Sequence, residues 1–376
     1  MLGGRLGQRW TPLSQSALGL LGLALVSAVA ACGDSPDSDG DTMGEEQPFD
    51  RKWDTMQFPD AFCRDGSNAS ILISKNPNSK NLMIFLEGGG ACYDDLTCLA
   101  NPPSTLVLPM TDGIWDETKK NNPVKGWNMV YVPYCTGDSH SGTNPAGVVP
   151  KVAGTQKFVG YTNMGIFLKA IVPMFPDIEK VLLTGISAGG FGASANTVQV
   201  MNAFPSNVKG VLLDDSGPAM SSKYLAPCLQ ERWRNLWGLD NSMLKDCGTD
   251  CPNQNDFVLD FSKHLAKTYG DRKSGIIEAS EDGVITRFFG VGQNECTGSF
   301  VGAGIPGPTF TEGLLDFRAQ LAPYPNFYTY FPSGDKAQQH TWLTSNSLYE
   351  YKVGDVAMID WVTAIINGEA TVNAGP

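Results

Sequence analysis

The run Val181-Leu182-Leu183-Thr184-Gly185-Ile186-Ser187-Ala188-Gly189-Gly190 constrains the fold more tightly than any other part of this 376-residue chain. Its apolar start reads as a strand buried on both faces. Gly185 and Gly189 then flank a serine in a turn so sharp that side chains at the flanking positions would collide with neighbouring backbone. Residues 191–204 follow as a helix. A strand, a Gly-x-Ser-x-Gly turn and a helix in that order lift the Ser187 hydroxyl above the sheet edge. The helix N-terminus behind it favours developing negative charge. The five-residue pattern alone is common by chance and could be a plain turn; its flanking elements point to a nucleophile.

The remaining apolar runs extend the pattern. A strand from Ala61, a turn at Asp65-Gly66, a second strand at 70–74 and a third at 82–86 suggest antiparallel entry into a sheet. Further short apolar runs lie at 129–132, 208–213, 275–277 and 327–331, with helical periodicity at 164–175 and a closing helix at 356–366. Buried strands alternating with helices predict an α/β fold of α/β-hydrolase type, a mostly parallel sheet flanked by helices. Residues 217–270 show no strand but hold Trp233, Leu236, Trp237 and three cysteines, and are expected to form a small disulfide-braced helical cap.

Residues 1–31 differ from the rest. Arg5 and Arg9 precede an apolar stretch of signal-peptide length, too short for a comfortable membrane span. It ends in Val29-Ala30-Ala31-Cys32, which resembles a bacterial lipobox; cleavage before Cys32 and lipidation of its thiol would carry the chain out of a bacterial cytoplasm and anchor it to a membrane. The alternative is ordinary cleavage nearby, leaving Cys32 free. Residues 32–48, acidic and nearly devoid of large apolar side chains, read as a flexible tether to a catalytic domain at 49–371. With Cys32 lipidated, eight cysteines remain, enough for four disulfides of undetermined pairing in an oxidising compartment. Cys247 and Cys251 could instead be half a zinc site, but no second pair lies nearby, and neither metal nor cofactor is expected. Lys and Arg number 27 against 39 Asp and Glu, a net charge of -12, which disfavours nucleic acid as a partner.

A serine nucleophile needs a base, and the chain has only His140, His264 and His340. In α/β hydrolases the order is nucleophile, acid, histidine, the last in the loop after the final strand. His340 alone fits. His264 falls in the expected cap, with a surface role. His140, in the loop that also holds Asp138, either lines the pocket or braces the loop. For the acid, the position after the penultimate strand selects Asp282; Asp214 and Asp215, one strand earlier, compete, with bracing of the serine loop as their structural alternative. Asp335 reads as a turn residue. The strand at 82–86 runs into Glu87-Gly88-Gly89-Gly90-Ala91-Cys92. By analogy with the glycine runs of lipases and esterases, the backbone N–H groups of Gly90, Ala91 and Ala188 are candidate oxyanion donors; the bland alternative is a glycine-rich turn.

Taken together, Leu86-Glu87-Gly88-Gly89-Gly90-Ala91-Cys92, Tyr134-Cys135-Thr136-Gly137-Asp138, Gly185-Ile186-Ser187-Ala188-Gly189-Gly190 and the late His340 resemble the pectinacetylesterase family, which also includes the animal Notum carboxylesterases. The resemblance covers roughly residues 49–367. It implies an α/β-hydrolase fold, disulfides, and ester deacylation outside the cytoplasm by a Ser187, Asp282, His340 triad. Ala91 departs from the family pattern, standing where many members have Trp. The expected substrate is an ester, foremost an acetylated, pectin-like polysaccharide. The alternatives are a carboxylesterase for longer acyl or other polymer esters, and a catalytically dead surface binding module.

Overall fold

The computed structural model describes residues 49–376 except 102, 106–110 and 254. The expected signal, lipidation site Cys32 and tether lie outside the described residues. The main sheet has eight strands: β1 (Asp54–Phe62), β2 (Asn68–Ser74), β3 (Asn81–Leu86), β4 (Asn128–Val132), β5 (Lys180–Ile186), β6 (Lys209–Asp215), β7 (Ser274–Ile277) and β8 (Phe327–Tyr330). Their spatial order is β1-β2-β4-β3-β5-β6-β7-β8. The β1/β2 and β2/β4 pairs are antiparallel and all others parallel, so the fold is α/β-hydrolase-like. β1 begins seven residues before the expected Ala61. It is an edge strand, mostly exposed and irregular in register between Gln57 and Phe62, so it carries no apolar alternation to read.

Alternation within the central strands builds two cores. Leu82, Ile84 and Leu86 of β3 face one side with Val181 and Leu183 of β5. Met83 and Phe85 face the other with Leu182. On the first side pack α1 (Gly160–Met174), through Met164, Phe167, Leu168 and Ile171, and α2 (Ala188–Ala203), through Ala193 and Val200. On the second lies the closing helix, Met358–Asn367, through Ile359, Trp361, Val362, Ile365 and Ile366. Both sheet faces being covered is why the parallel strands read as nearly unbroken apolar runs.

Residues 217–270 contain helices α3 (Pro227–Trp237), Met243–Cys247 and α4 (Phe257–Thr268) and no strand among the described residues. The domain also extends beyond the expected limit of residue 371. Phe331 N–H donates to the Ala374 carbonyl and Ala374 N–H to that of Thr329, both at 2.9 Å, and the Arg318 guanidinium holds the Ala374 carbonyl at 2.7 Å.

The eight cysteines close four disulfides: Cys63–Cys135, Cys92–Cys98, Cys228–Cys296 and Cys247–Cys251. The last accounts for the pair weighed as half a zinc site. Among the described residues no group of three His, Cys, Asp or Glu side chains could hold a metal ion. Cys63–Cys135 bridges 72 residues, joining the end of β1 to the loop after β4. Closing a loop of this length is worth about 4 kcal/mol through the unfolded chain. The double variant Cys63→Ala, Cys135→Ala is therefore expected to lose about that much unfolding free energy in urea titrations. An unchanged midpoint would show that this bridge carries no stability.

Candidate active site

Ser187 stands at the end of β5 as the first residue before α2, with φ 56° and ψ −123°. This strained conformation costs roughly 1–3 kcal/mol and must be enforced by its surroundings. Three hydrogen bonds enforce it. Ser187 N–H donates to the Asp215 carbonyl at 2.7 Å, and the Ser187 carbonyl accepts from Gly190 and Phe191 at 2.8 and 3.1 Å. The flanking glycines are required by space: a Cβ on Gly189 would stand 2.0 Å from the Leu86 carbonyl oxygen, and one on Gly185 2.3 Å from that of Gly189. The elbow thus lies directly against the end of β3, where the glycine run begins.

His340 follows β8 in a loop and reaches back to the strand end of β7. Its Nδ1 lies 2.7 Å from Asp282 Oδ2. Asp282 is fully buried and the His340 side chain is 20% exposed. The second Asp282 oxygen, Oδ1, accepts from the backbone N–H groups of Val284 and Ile285 at 2.7 and 2.8 Å, capping the start of α5 (Ile285–Gly290). With Nδ1–H donating to the carboxylate, the ring is held in the tautomer whose Nε2 lone pair can accept a proton. Ser187 Oγ and His340 are not hydrogen-bonded in this structure; such contacts are often loose before substrate binds.

Asp215 and Ser216, at the end of β6, position the histidine loop. Asp215 Oδ2 accepts from Trp342 N–H and Leu343 N–H, both at 2.7 Å, and Ser216 Oγ from Thr341 N–H at 3.2 Å. Asp215 therefore braces and does not pair with the ring. Burial pushes its carboxyl up to about 6, partly offset by these donors and by His340. Asp214 turns the other way, accepting from Ser194 Oγ at 2.8 Å. His264 lies on α4 with Nδ1 3.0 Å from Asp250, and Asp335 in a single turn of 3₁₀ helix, Gly334–Lys336.

The glycine run is held from behind. Asn101 Nδ2 donates to the Gly89 carbonyl at 2.7 Å, and Arg64 Nη2 to the Asn101 carbonyl at 2.6 Å. Gly90 takes φ 79°, and a Cβ there would press on the Phe288 ring at 3.1 Å. The backbone N–H groups of Gly90 and Ala91, and that of Ala188 in the first position of α2, have no acceptor among the described residues. All three residues line the cavity beside Ser187.

His140 and Asp138 do not line that cavity, so of the two roles left open, bracing of the loop is the one their contacts fit and the possible pocket role is not. Both are buried behind its wall, because their polar atoms are consumed by the loop itself. Asp138 accepts from Thr136 Oγ1, Gly142 N–H and Gly160 N–H. His140 Nε2 lies 2.9 Å from the Glu87 carbonyl, tying this loop to the start of the glycine run.

The cavity has a volume of about 80 Å³. Its floor and walls are Tyr93, Phe191, Trp233, Trp237, Leu239, Met243, Phe257, Phe261, Ile285, Phe288 and Phe289, with Ser139, Ser141, Ser194 and Ser262 as polar interruptions. Trp233 and Trp237 of α3 stack at 5.8 Å between centroids, and with Tyr93 they line the same cavity as Ala91. Ser216 carries no sequence signal, and Trp233 and Trp237 show in the sequence only as part of a cap, not as a wall of this cavity. The pair Phe288-Phe289, on the helix that follows Asp282, is the signal the sequence offers for the wall.

The sheet order, the serine elbow and the paired histidine and carboxylate define a chain of the α/β-hydrolase class. It belongs to the pectinacetylesterase family: a family model of that description matches residues 53–263. The chain is similar to the palmitoleoyl-protein carboxylesterase NOTUM of Drosophila melanogaster, 28% identical over 219 residues that cover 51% of this chain and 32% of that protein. It is also similar to palmitoleoyl-protein carboxylesterase notum1 of Xenopus laevis, 32% identical over 207 residues covering 50% and 37%. It thus spans about a third of the length of these curated relatives. The solved structure of the Wnt deacylase Notum from Drosophila superposes with a TM-score of 0.61 at 20% identity, over 84% of this chain and 93% of that one, which shows a shared fold.

Burial depresses His140 to about 4. A histidine whose folded value is lowered contributes stability that is complete above about 6.5 and is lost as pH falls toward 4. Asp215, raised to about 6, acts oppositely, its contribution being lost as pH rises through 6. Comparing wild type with His140→Gln cancels the Asp215 effect. Between pH 7 and pH 4, wild type is expected to lose on the order of 3 kcal/mol more unfolding free energy than the variant. Equal acid slopes in urea unfolding would contradict a buried neutral His140.

Proposed function

We propose that the chain is a serine carboxylesterase acting on esters of acyl groups longer than acetyl. His340 Nε2 takes the Ser187 proton as Oγ attacks the ester carbonyl. Asp282 holds the ring in the required tautomer and stabilises the imidazolium that forms. The oxyanion is met by the N–H groups of Gly90, Ala91 and Ala188. His340 then protonates the departing alcohol, and water activated by the same nitrogen releases the acid and regenerates Ser187.

The observation that carries the substrate class is the cavity beside Ser187. Its wall is mostly aromatic and aliphatic, so each methylene beyond acetyl that an acyl chain lays against it gains about 0.8 kcal/mol. The description of the family favours the other reading, removal of acetyl groups from a polysaccharide such as pectin. A dead binding module would share the cavity but would have no use for the buried His340–Asp282 pair.

The four disulfides are those of a chain folding in an oxidising compartment. This supports export under the signal at residues 1–31. Lipid attachment at Cys32 would then hold the enzyme, through its acidic tether, at a membrane surface.

On p-nitrophenyl esters kcat/KM is expected to rise at least about tenfold from acetate to octanoate. Ser187→Ala should lower kcat by about 10⁴-fold or more on either. Equal or faster hydrolysis of acetate would restore the deacetylase reading.

A further inference from the structure

Four buried carboxyl groups, Asp214, Asp215, Glu278 and Asp282, converge where β6 and β7 end beneath the site. Their donors are unevenly shared. Asp282 takes two backbone N–H groups and the His340 ring. Asp215 takes two backbone N–H groups and the Ser216 hydroxyl. Asp214 takes the Ser194 hydroxyl on Oδ2, and its Oδ1 has no hydrogen-bond partner among the described residues. Glu278 is fully buried, and neither of its oxygens has a donor among the described residues.

A buried carboxylate without donors or a cation beside it is too costly to keep, and such a group takes up a proton instead. The charged groups acting on Glu278 are Asp282, Asp215 and Asp214, all acids, and Asp282 lies within its hydrogen-bonding reach. Two ionised carboxyls there would repel; one proton turns that contact into an O–H···O⁻ bond, among the stronger kinds.

We propose that Glu278 is a protonated carboxylic acid in the working protein and that its O–H donates to Asp282, making it a positioning residue for the His340–Asp282 pair. Burial and the neighbouring acids push the Glu278 carboxyl well above its ordinary value, in keeping with this arrangement. The shared proton keeps the pair at a single negative charge. It also lowers the basicity of the Asp282 carboxylate, so that the imidazolium is stabilised without drawing its proton across. The inference rests on the esterase reading only for its catalytic consequence.

Two measurements test it. The infrared difference between wild type and Glu278→Gln at pH 7 should contain the carbonyl band of one protonated carboxylic acid, and the same band should appear when the pair is compared in the Ser187→Ala background. In pH profiles of kcat/KM, Glu278→Gln, whose amide still donates to Asp282, should keep the acid limb of wild type. Glu278→Met removes the donor and should move that limb up by about one pH unit. A difference without that band, or a Gln limb displaced from that of wild type, overturns the proposal. If the Met variant does not fold, the infrared spectra and the Gln profile decide alone. Failure of the esterase reading shows differently, as full turnover in Ser187→Ala with the infrared result unaffected.

Discussion

Asp215 is the residue on which the geometry of the site depends. Its carbonyl oxygen holds the N–H of Ser187 and its carboxylate holds the N–H groups of Trp342 and Leu343. One rigid strand end therefore fixes both a serine elbow and the loop that delivers the histidine, although the two are more than 150 residues apart in sequence. Parallel pairing does the rest: Ile186 lies beside Asp215, and Asp215 beside Ile277, so Ser187, Asp215 and Asp282 leave three adjacent strands at one edge. Because these groups ride on strands buried on both faces, their spacing is set by the core and not by loop flexibility.

Much of this was legible in the sequence because it was local. The Gly-x-Ser-x-Gly turn, the glycine run after β3 and the strand and helix periodicities each follow from short-range sterics and burial. Chain order then selected His340 and Asp282, which the structure brings to hydrogen-bonding distance. The rest was illegible for equally physical reasons. β1 is an exposed, irregular edge strand with no pattern to read. Asp215 looked like a competitor for the acid because sequence gives a carboxylate's position along the chain but not the direction it faces. Glu278 follows an ordinary apolar strand, and only its lack of donors within the folded core sets it apart.

The cavity was least legible of all. Its walls come from α2, α3, α4, α5 and the glycine run, elements distant in sequence that meet only in the fold. Ala91 shows in the sequence as one departure from the family pattern, whereas the rings of Tyr93, Trp233 and Trp237 that line the same cavity converge only in the fold. On the proposed reading, the Gly90, Ala91 and Ala188 N–H groups, the elbow and the His340–Asp282 pair would serve acyl transfer in general, and the apolar cavity would distinguish one acyl group from another.

The central claim is that Ser187 is a nucleophile made reactive by His340. The most direct measurement is labelling with a fluorophosphonate probe, followed by mapping of the modified residue. The account predicts stoichiometric modification of Ser187 and a steep loss of labelling rate in His340→Ala. Absence of labelling in the folded wild-type protein, or an equal rate in the variant, would contradict it.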